Sequence, residues 1–446
     1  MAMGRSWHSP DLTKQYFYAV TLIFGFSALS AILFMVSVRR PVYDDQFNIF
    51  DVHAYADDGI SVATIRAQRN PPGPMGFIWM AAAVRLVGHD ELLDARMAVL
   101  FSWLLLVIGI LVAARYSQWP QLWYGALLAA MIFPHSLTAS ATVLTEGPAL
   151  LFALLGVLAW TDSASRPKRV SPALLAWMVV GGLSIGLSIT CRQYFLALLP
   201  SAGVLALLLL WGRPSERTFE WLGSVFISLT AAVIPALLLV LTWRGIASPG
   251  METGASYGNY QIGVGLAWFR PVQVTFYAAL YLVPYSFPAI WRVPLERRWP
   301  ALLAAFIVGF VATYFRGSLM NPGPIHSLIE VASRIPAGAA LLFWLITSVA
   351  TYNAVAVCLL LWGERSKLRT CVPVVFALLV VFFFISEQLG VGGNIPFYDR
   401  YVLQLAPFLG LIGFWLFPKF TRSRILVMAG MVVFSHALLW RYAFAK

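Results

Sequence analysis

The feature that most constrains this chain is a series of apolar stretches, each close to the length that a helix needs to cross a hydrocarbon layer of ~30 Å, about 20 residues. About thirteen such stretches lie near 17–37, 97–114, 119–134, 146–161, 173–190, 194–211, 222–243, 263–285, 300–315, 339–362, 371–386, 401–417 and 424–442. Backbone polar groups in lipid must be satisfied within the protein, and runs of this length do so as helices. The expected fold class is an all-α polytopic membrane protein with about 11–14 transmembrane helices. Charged residues make up only 11% of the chain, against roughly a quarter in a soluble domain. The stretch 75–88 is apolar but carries Arg85, and reads as an interfacial helix in the long first loop.

The net charge of +12 raises nucleic acid as a partner, and the placement of the charge excludes it. Basic residues collect in short loops between spans: Arg166, Lys168 and Arg169; Arg213 and Arg217; Arg292, Arg297 and Arg298; Arg365, Lys367 and Arg369; Lys419, Arg422 and Arg424. Alternating spans bring these loops to one face with Arg5 and Lys14, which makes that face cytoplasmic. Membrane lipid is the partner that this pattern implies. Cys191, Cys358 and Cys371 show no metal-type or CxxC spacing, so no disulfide framework and no zinc site are expected. The first apolar stretch is long enough to span and reads as a signal anchor. The lack of an Asn-x-Ser/Thr sequon points to a bacterial inner membrane. A single membrane domain over 1–446 accounts for the chain, with outer loops at 38–96, 316–338 and 386–400.

The longest outer loop, 38–96, carries the densest acids. It opens Tyr43-Asp44-Asp45-Gln46-Phe47-Asn48 and continues through Asp51, His53 and Tyr55 to Asp57-Asp58-Gly59. Adjacent carboxylates beside a membrane repel, which raises the proton affinity of one of them. A carboxylate placed beside a sugar hydroxyl acts as a general base in group transfer. A run of acids is also the ordinary form of a solvated face; here the aromatic and amide neighbours favour a sugar-binding surface. Downstream, Pro71, Pro72 and Pro74 exclude a regular helix and impose a stiff turn. A second rigid outer segment, Asn321-Pro322-Gly323-Pro324, precedes His326, Glu330 and Arg334.

Glu146 lies at the outer end of a span, where an ionisable group is costly and signals function. Helix capping is the competing account, because an acid near a helix start complements the dipole and Pro148 suits a first turn. Arg192 and Gln193 occupy a very short turn between two spans. The planar fork of an arginine suits phosphate, although an arginine at this level also snorkels to lipid. Arg334 and Arg400, the latter within Tyr398-Asp399-Arg400-Tyr401, raise the same pair of alternatives. His135, His326 and Glu252 are weaker candidates.

Taken in order, Tyr43-Asp44-Asp45-Gln46-Phe47 through Ala54-Tyr55 and Gly59, then Pro72-Gly73, Leu144-Thr145-Glu146 and Cys191-Arg192-Gln193 resemble the dolichyl-phosphate-glucose-dependent alpha-1,2-glucosyltransferases of the asparagine-linked glycan pathway. These are members of the GT-C superfamily of polyprenyl-phosphate-sugar glycosyltransferases. The family has Asp-Glu where this chain has Asp44-Asp45. The resemblance covers the first half of the chain; beyond residue 200 it rests on topology and on Arg400-Tyr401. It implies a GT-C-type bundle whose first outer loop carries the catalytic acids. It also implies a polyprenyl-phosphate-linked sugar donor, a glycan or lipid-linked acceptor, and inverting transfer on the periplasmic face without a cofactor. By that likeness Asp44 is the general base and Asp45 a supporting acid. Glu146 orients hydroxyls and Arg192 holds the donor phosphate, with Gln193, Asp51, His53, Tyr55, Arg334 and Arg400 as further substrate contacts. No metal is expected, a divalent ion on Asp44, Asp45 and Glu146 being the alternative. The rival readings are a GT-C transferase acting on protein or lipid A, and a flippase or transporter. Transporters place ionisable groups near the midplane, often within repeats, and this chain shows neither.

Overall fold

The computed structural model describes residues 10–42, 44–166, 171–212, 219–245, 248–249, 269–293, 295–319, 324–390 and 399–444. Tyr43, Glu252, Asn321-Pro322-Gly323, Tyr398 and the basic residues Lys168, Arg169, Arg213 and Arg217 lie outside the described residues. The regular elements are helices: α1 (Pro10–Ser37), α2 (Asp45–Asp57), α3 (Val62–Ala67), α4 (Pro74–Val87), α5 (Glu91–Ala113), α6 (Pro120–Ile132), α7 (Ser136–Ala141), α8 (Glu146–Ser165), α9 (Pro172–Cys191) and α10 (Leu198–Gly212). They continue with α11 (Phe219–Trp243), α12 (Phe269–Ser286), α13 (Leu295–Tyr314), α14 (Arg316–Leu319), α15 (Pro324–Ala332), α16 (Gly338–Gly363), α17 (Arg365–Leu368), α18 (Val372–Glu387), α19 (Ala406–Leu416) and α20 (Arg422–Phe444).

Within the described residues, each expected apolar stretch contains a helix. Among the described residues, nine helices are long and apolar enough to cross a membrane, and Pro74–Val87, Val372–Glu387 and Ala406–Leu416 are shorter apolar helices. Prolines bound two of the shorter helices. α6, with 13 residues, starts at Pro120 and stops just before Phe133-Pro134; α19, with 11 residues, lies between Pro407 and Phe417-Pro418. A residue before proline is driven out of the helical region, which ends the helix there. α4 forms where the interfacial helix is expected, with Pro74 at its first position and Gly88 in the left-handed conformation closing it. Left-handed φ at Gly88 is what a helix C-terminus of this kind requires.

The described residues fall into two compact units. One comprises 13–124, 135–261 and 435–446. In it, α9 packs between α8 and α11, and glycines permit the approach on both sides. A β-carbon at Gly156 or Gly181 would meet the carbonyl of the other at 2.9 and 3.0 Å. One at Gly182 would lie 2.2 Å from the Ser228 carbonyl, and one at Gly186 would lie 2.6 Å from that of Ala232. Small residues are what let membrane helices pack backbone to backbone. The ends of α1, α5 and α20 share an apolar cluster with α7 that includes Phe34, Met35, Leu100, Leu137 and Leu439, and the linker residues Val38 and Val42 fold back into it. That fold-back starts α2 beside the last turns of α1.

The other unit comprises 1–12, 125–134 and 262–434. Here α12 packs on α16 and α19, and α13 on α16. Buried Arg424 donates to the carbonyls of Phe417 and Tyr285 and stacks 4.1 Å from the Phe414 ring centre. The Asn353 amide donates to Ser286 Oγ at 2.8 Å between α16 and α12.

Candidate functional site

In α2 the buried face carries polar residues in its first half, beside the apolar Val52, Tyr55 and Ala56. Asp45, Asn48 and Asp51, spaced three apart and therefore on one face, are buried, whereas Phe47 and Phe50 are exposed. Asp45 has no solvent exposure and is ion-paired to Arg96, itself 1% exposed. Arg96 Nε reaches the same Asp45 oxygen at 3.2 Å, and its Nη groups donate to the carbonyls of Val38 at 2.6 Å and Arg40 at 2.9 Å. Asp45 also accepts from the backbone N–H groups of Val42 at 3.1 Å and Val143 at 2.5 Å. Burial pushes its carboxyl above the usual carboxylate range, with Arg96 and the two backbone donors pulling the other way. Burial, not repulsion by Asp44, is thus the cause of the raised proton affinity at this acidic pair. Asn48 holds the same residue through the next peptide, donating to the Val143 carbonyl at 2.6 Å. Asn48 is therefore an internal fastener and not part of an open sugar-binding surface.

Asp51 holds a second segment. Its carboxylate accepts from the backbone N–H groups of Arg69 and Asn70, each at 2.9 Å, and from the Asn70 amide at 2.6 Å. Burial again raises the carboxyl, and these donors only partly offset it. Tyr55, buried, donates to Gln68 Oε1 at 3.0 Å, and Gln68 donates to the carbonyls of Asn70, at 2.7 Å, and Pro72. The proline-rich strap so fixed runs across the end of α9. The Gly73 N–H donates to the Cys191 carbonyl at 3.1 Å, and Gln193 donates to the Pro71 carbonyl at 2.6 Å. Only glycine fits at 73, because a β-carbon would sit 2.0 Å from the Thr190 carbonyl oxygen.

At the end of that strap Arg192 is ion-paired through Nη2 to Glu146 Oε1, with Arg192 6% and Glu146 1% exposed. Thr145 caps α8 without a side-chain hydrogen bond, and Glu146 and Pro148 lie in the first turn. Glu146 thus starts a helix, as the capping account has it, and also meets a cation from 46 residues away. The pair is half made. Arg192 Nε, Glu146 Oε2 and Thr145 Oγ1 are buried and have no hydrogen-bond partner among the described residues.

Three segments that are far apart in the chain thus meet: Asp45 and Asn48 hold Val143, three residues before Glu146, and Glu146 holds Arg192. No family model matches the chain, and no curated protein matches it. Among solved structures it is similar to ArnT from Cupriavidus metallidurans bound to undecaprenyl phosphate, with 16% identity, a TM-score of 0.42, and coverage of 95% of this chain and 77% of that one. The apo state of the same protein gives 16% identity and a TM-score of 0.41 at the same coverage. Likeness at this level assigns neither an activity nor a residue role.

The remaining expected residues are placed as follows. Asp44 is half-buried, immediately before α2, and its carbonyl starts the helix by accepting from Phe47 and Asn48. His53 is exposed and lies 3.0 Å from Glu91 and 3.1 Å from Asp57. Arg334 and Arg400 belong to the second unit; Arg334 is exposed, and the Arg400 guanidinium lies 5.2 Å from the Tyr401 ring centre. Sequence reasoning missed Arg96, Gln68 and Asn70. Arg96 carried a signal, because an arginine at the mouth of an apolar run requires a counter-charge; the two amides carried none. Among the described residues no three His, Cys, Asp or Glu side chains are grouped as metal ligands are, and Asp45 and Glu146 are each engaged by an arginine.

Proposed function

We infer that this protein is a GT-C-type membrane glycosyltransferase that moves a sugar from a polyprenyl-phosphate donor to a glycan or lipid-linked acceptor on the periplasmic face. The observation that carries this reading is the meeting of the three motif segments at one place: the acidic loop, Thr145-Glu146 and Arg192-Gln193. They are far apart in the chain, and the resemblance to polyprenyl-phosphate-sugar glucosyltransferases rests on the same three.

In an inverting transfer a hydroxyl of the acceptor attacks the anomeric carbon, its proton passes to a base, and the phosphate leaves with the bond electrons. Asp44 is assigned as that base. Asp45, whose oxygens are taken by Arg96, Val42 and Val143, supports it by fixing the loop. Glu146 and Arg192 form the substrate end of the site. Asp51, Tyr55 and Gln193 act on it through the strap, and His53, Arg334 and Arg400 are carried over as further substrate contacts from the resemblance alone.

The test is mass analysis of lipid-linked and envelope glycans in cells lacking the protein, resupplied with wild type or with Asp44→Asn. The reading requires one glycan to lose a sugar without the protein, wild type to restore it, and Asp44→Asn to fail at normal membrane abundance. An unchanged glycan profile in cells lacking the protein refutes it.

A further inference from the structure

The Glu146–Arg192 pair is built for two hydrogen bonds and makes one. Nε and Nη2 form one edge of a guanidinium, and a carboxylate facing that edge normally takes both in a bidentate fork. Here Nη2 is bonded to Oε1, while Nε and Oε2, the second limb, are buried and unpartnered among the described residues. A buried polar atom left unsatisfied forfeits its hydration without return, so an open limb of this kind is stable only where something completes it. The group that completes it must accept from Nε and donate to Oε2. A single hydroxyl does both. An ionised phosphate cannot donate, and beside Oε2 it would meet a like charge. Thr145 Oγ1, adjacent in sequence and also unpartnered, adds a second group able to donate and accept.

We propose that the open limb of the Glu146–Arg192 pair, with Thr145, is a receptor for the hydroxyl groups of the transferred sugar and not for the phosphate of its carrier. This rests on the glycosyl-transfer reading and names what the site discriminates. Arg192, expected from the resemblance to hold phosphate, then serves as half of a neutral, hydroxyl-reading pair.

The experiment measures binding of the purified full-length protein to undecaprenyl phosphate and to undecaprenyl phosphate carrying glucose, galactose or mannose. Wild type binds one sugar-bearing lipid at least tenfold more tightly than the bare lipid. Arg192→Lys keeps the charge and loses the fork edge, and Glu146→Gln keeps the shape and loses an acceptor. Both abolish that preference while changing the Kd for the bare lipid by less than twofold. Thr145→Val removes an oxygen that has no internal partner, so it leaves the melting temperature unchanged and weakens the preferred sugar-bearing lipid by threefold or more. It therefore reads the site even if the buried pair cannot be altered without unfolding. The proposal is overturned if the variants weaken the bare lipid as much as the sugar-bearing one, if they leave the preference intact, or if wild type binds the bare lipid and prefers no sugar form. If wild type binds no polyprenyl lipid at all, the glycosyltransferase reading itself falls.

Discussion

Two adjacent carboxylates, Asp44 and Asp45, are predicted to fail in opposite ways. Asp45 is fully buried against Arg96. Replacing it with asparagine leaves a buried guanidinium without its counter-charge, and breaking a buried pair from one side costs about 3–5 kcal/mol. At roughly 2–4 °C per kcal/mol for a domain of 150–250 residues, the melting temperature should fall by roughly 6–20 °C. Arg96→Met should cost at least as much, because it also strips the Val38 and Arg40 carbonyls of their donor. The double variant Asp45→Asn/Arg96→Met should be less destabilised than the two single costs added together, by about 2 kcal/mol or more, since neither charge then remains unpaired. Asp44→Asn should leave melting within a degree or two and lower transfer by roughly 10²–10⁴-fold, the contribution of a general base. Melting is read by fluorescence-detected size exclusion of heated detergent extracts, and transfer by sugar incorporation in resupplied cells. Additive single costs of Asp45→Asn and Arg96→Met would refute the pairing argument. Loss of transfer in Asp45→Asn with unchanged melting, while Asp44→Asn still turns over, would exchange the two roles.

Gly73→Ala should lift the strap from α9, because its methyl group would sit 2.0 Å from a backbone oxygen; a loss of about 1–3 kcal/mol or more is expected, with new protease cleavage near 60–74. Gly182→Ala should force α9 and α11 apart at the Ser228 carbonyl and lower melting, whereas Gly203→Ala, which meets open space, should not; equal effects would remove the close-packing account. Burial holds the Asp51 carboxyl above its ordinary range, so its contribution to stability is greatest below the ordinary carboxylate value and is lost as pH rises through the raised folded value. The stability of wild type relative to Asp51→Asn should therefore fall as pH rises above the ordinary carboxylate value of about 4, read as the difference in their melting temperatures; a difference that rises with pH would reverse the assignment.

The spans were legible in the sequence because lipid demands both a length and an apolar surface, and within the described residues each expected stretch contains a helix. Where prolines bound a run, at α6 and α19, the helix is shorter than the apolar stretch, since hydropathy averages over a residue that backbone geometry does not. Within the candidate site the places were legible and the pairings were not. Asp45, Glu146 and Arg192 stood out as charges beside membrane, but charge alone does not say that Asp45 meets Arg96, 51 residues away. The helical character of 45–57 was hidden for a related reason. Its buried face repeats at Asp45, Asn48 and Asp51, so the helical period is carried by polar residues, and a search for apolar period passes over it. Gln68 and Asn70 lie in a proline-rich loop where no charge or period marks them, and only the coordinates show that they fasten it.

The polar part of the buried face of α2 follows from what a loop at a membrane boundary has to work with. Apolar burial is undirected, and the outward side of such a loop is not reliably water, so the hydrophobic effect alone cannot fix one path for the chain. Hydrogen bonds are directional, and here they end chiefly on main-chain atoms: Val38, Arg40, Val143, Arg69, Asn70, Pro71, Gly73 and Cys191 are all held by backbone oxygen or nitrogen. Such contacts fix where the chain runs without fixing what the site's own side chains meet. The side-chain pair of Glu146 with Arg192 differs from that of Asp45 with Arg96 in that, among the described residues, one of its limbs stays open. On the proposed reading, the closed Asp45–Arg96 pair belongs to the scaffold, while specificity resides at the open pair. Substitutions there should alter which substrate is taken before they alter whether the protein folds, and substitutions at Asp45, Arg96 or Gly73 should do the reverse.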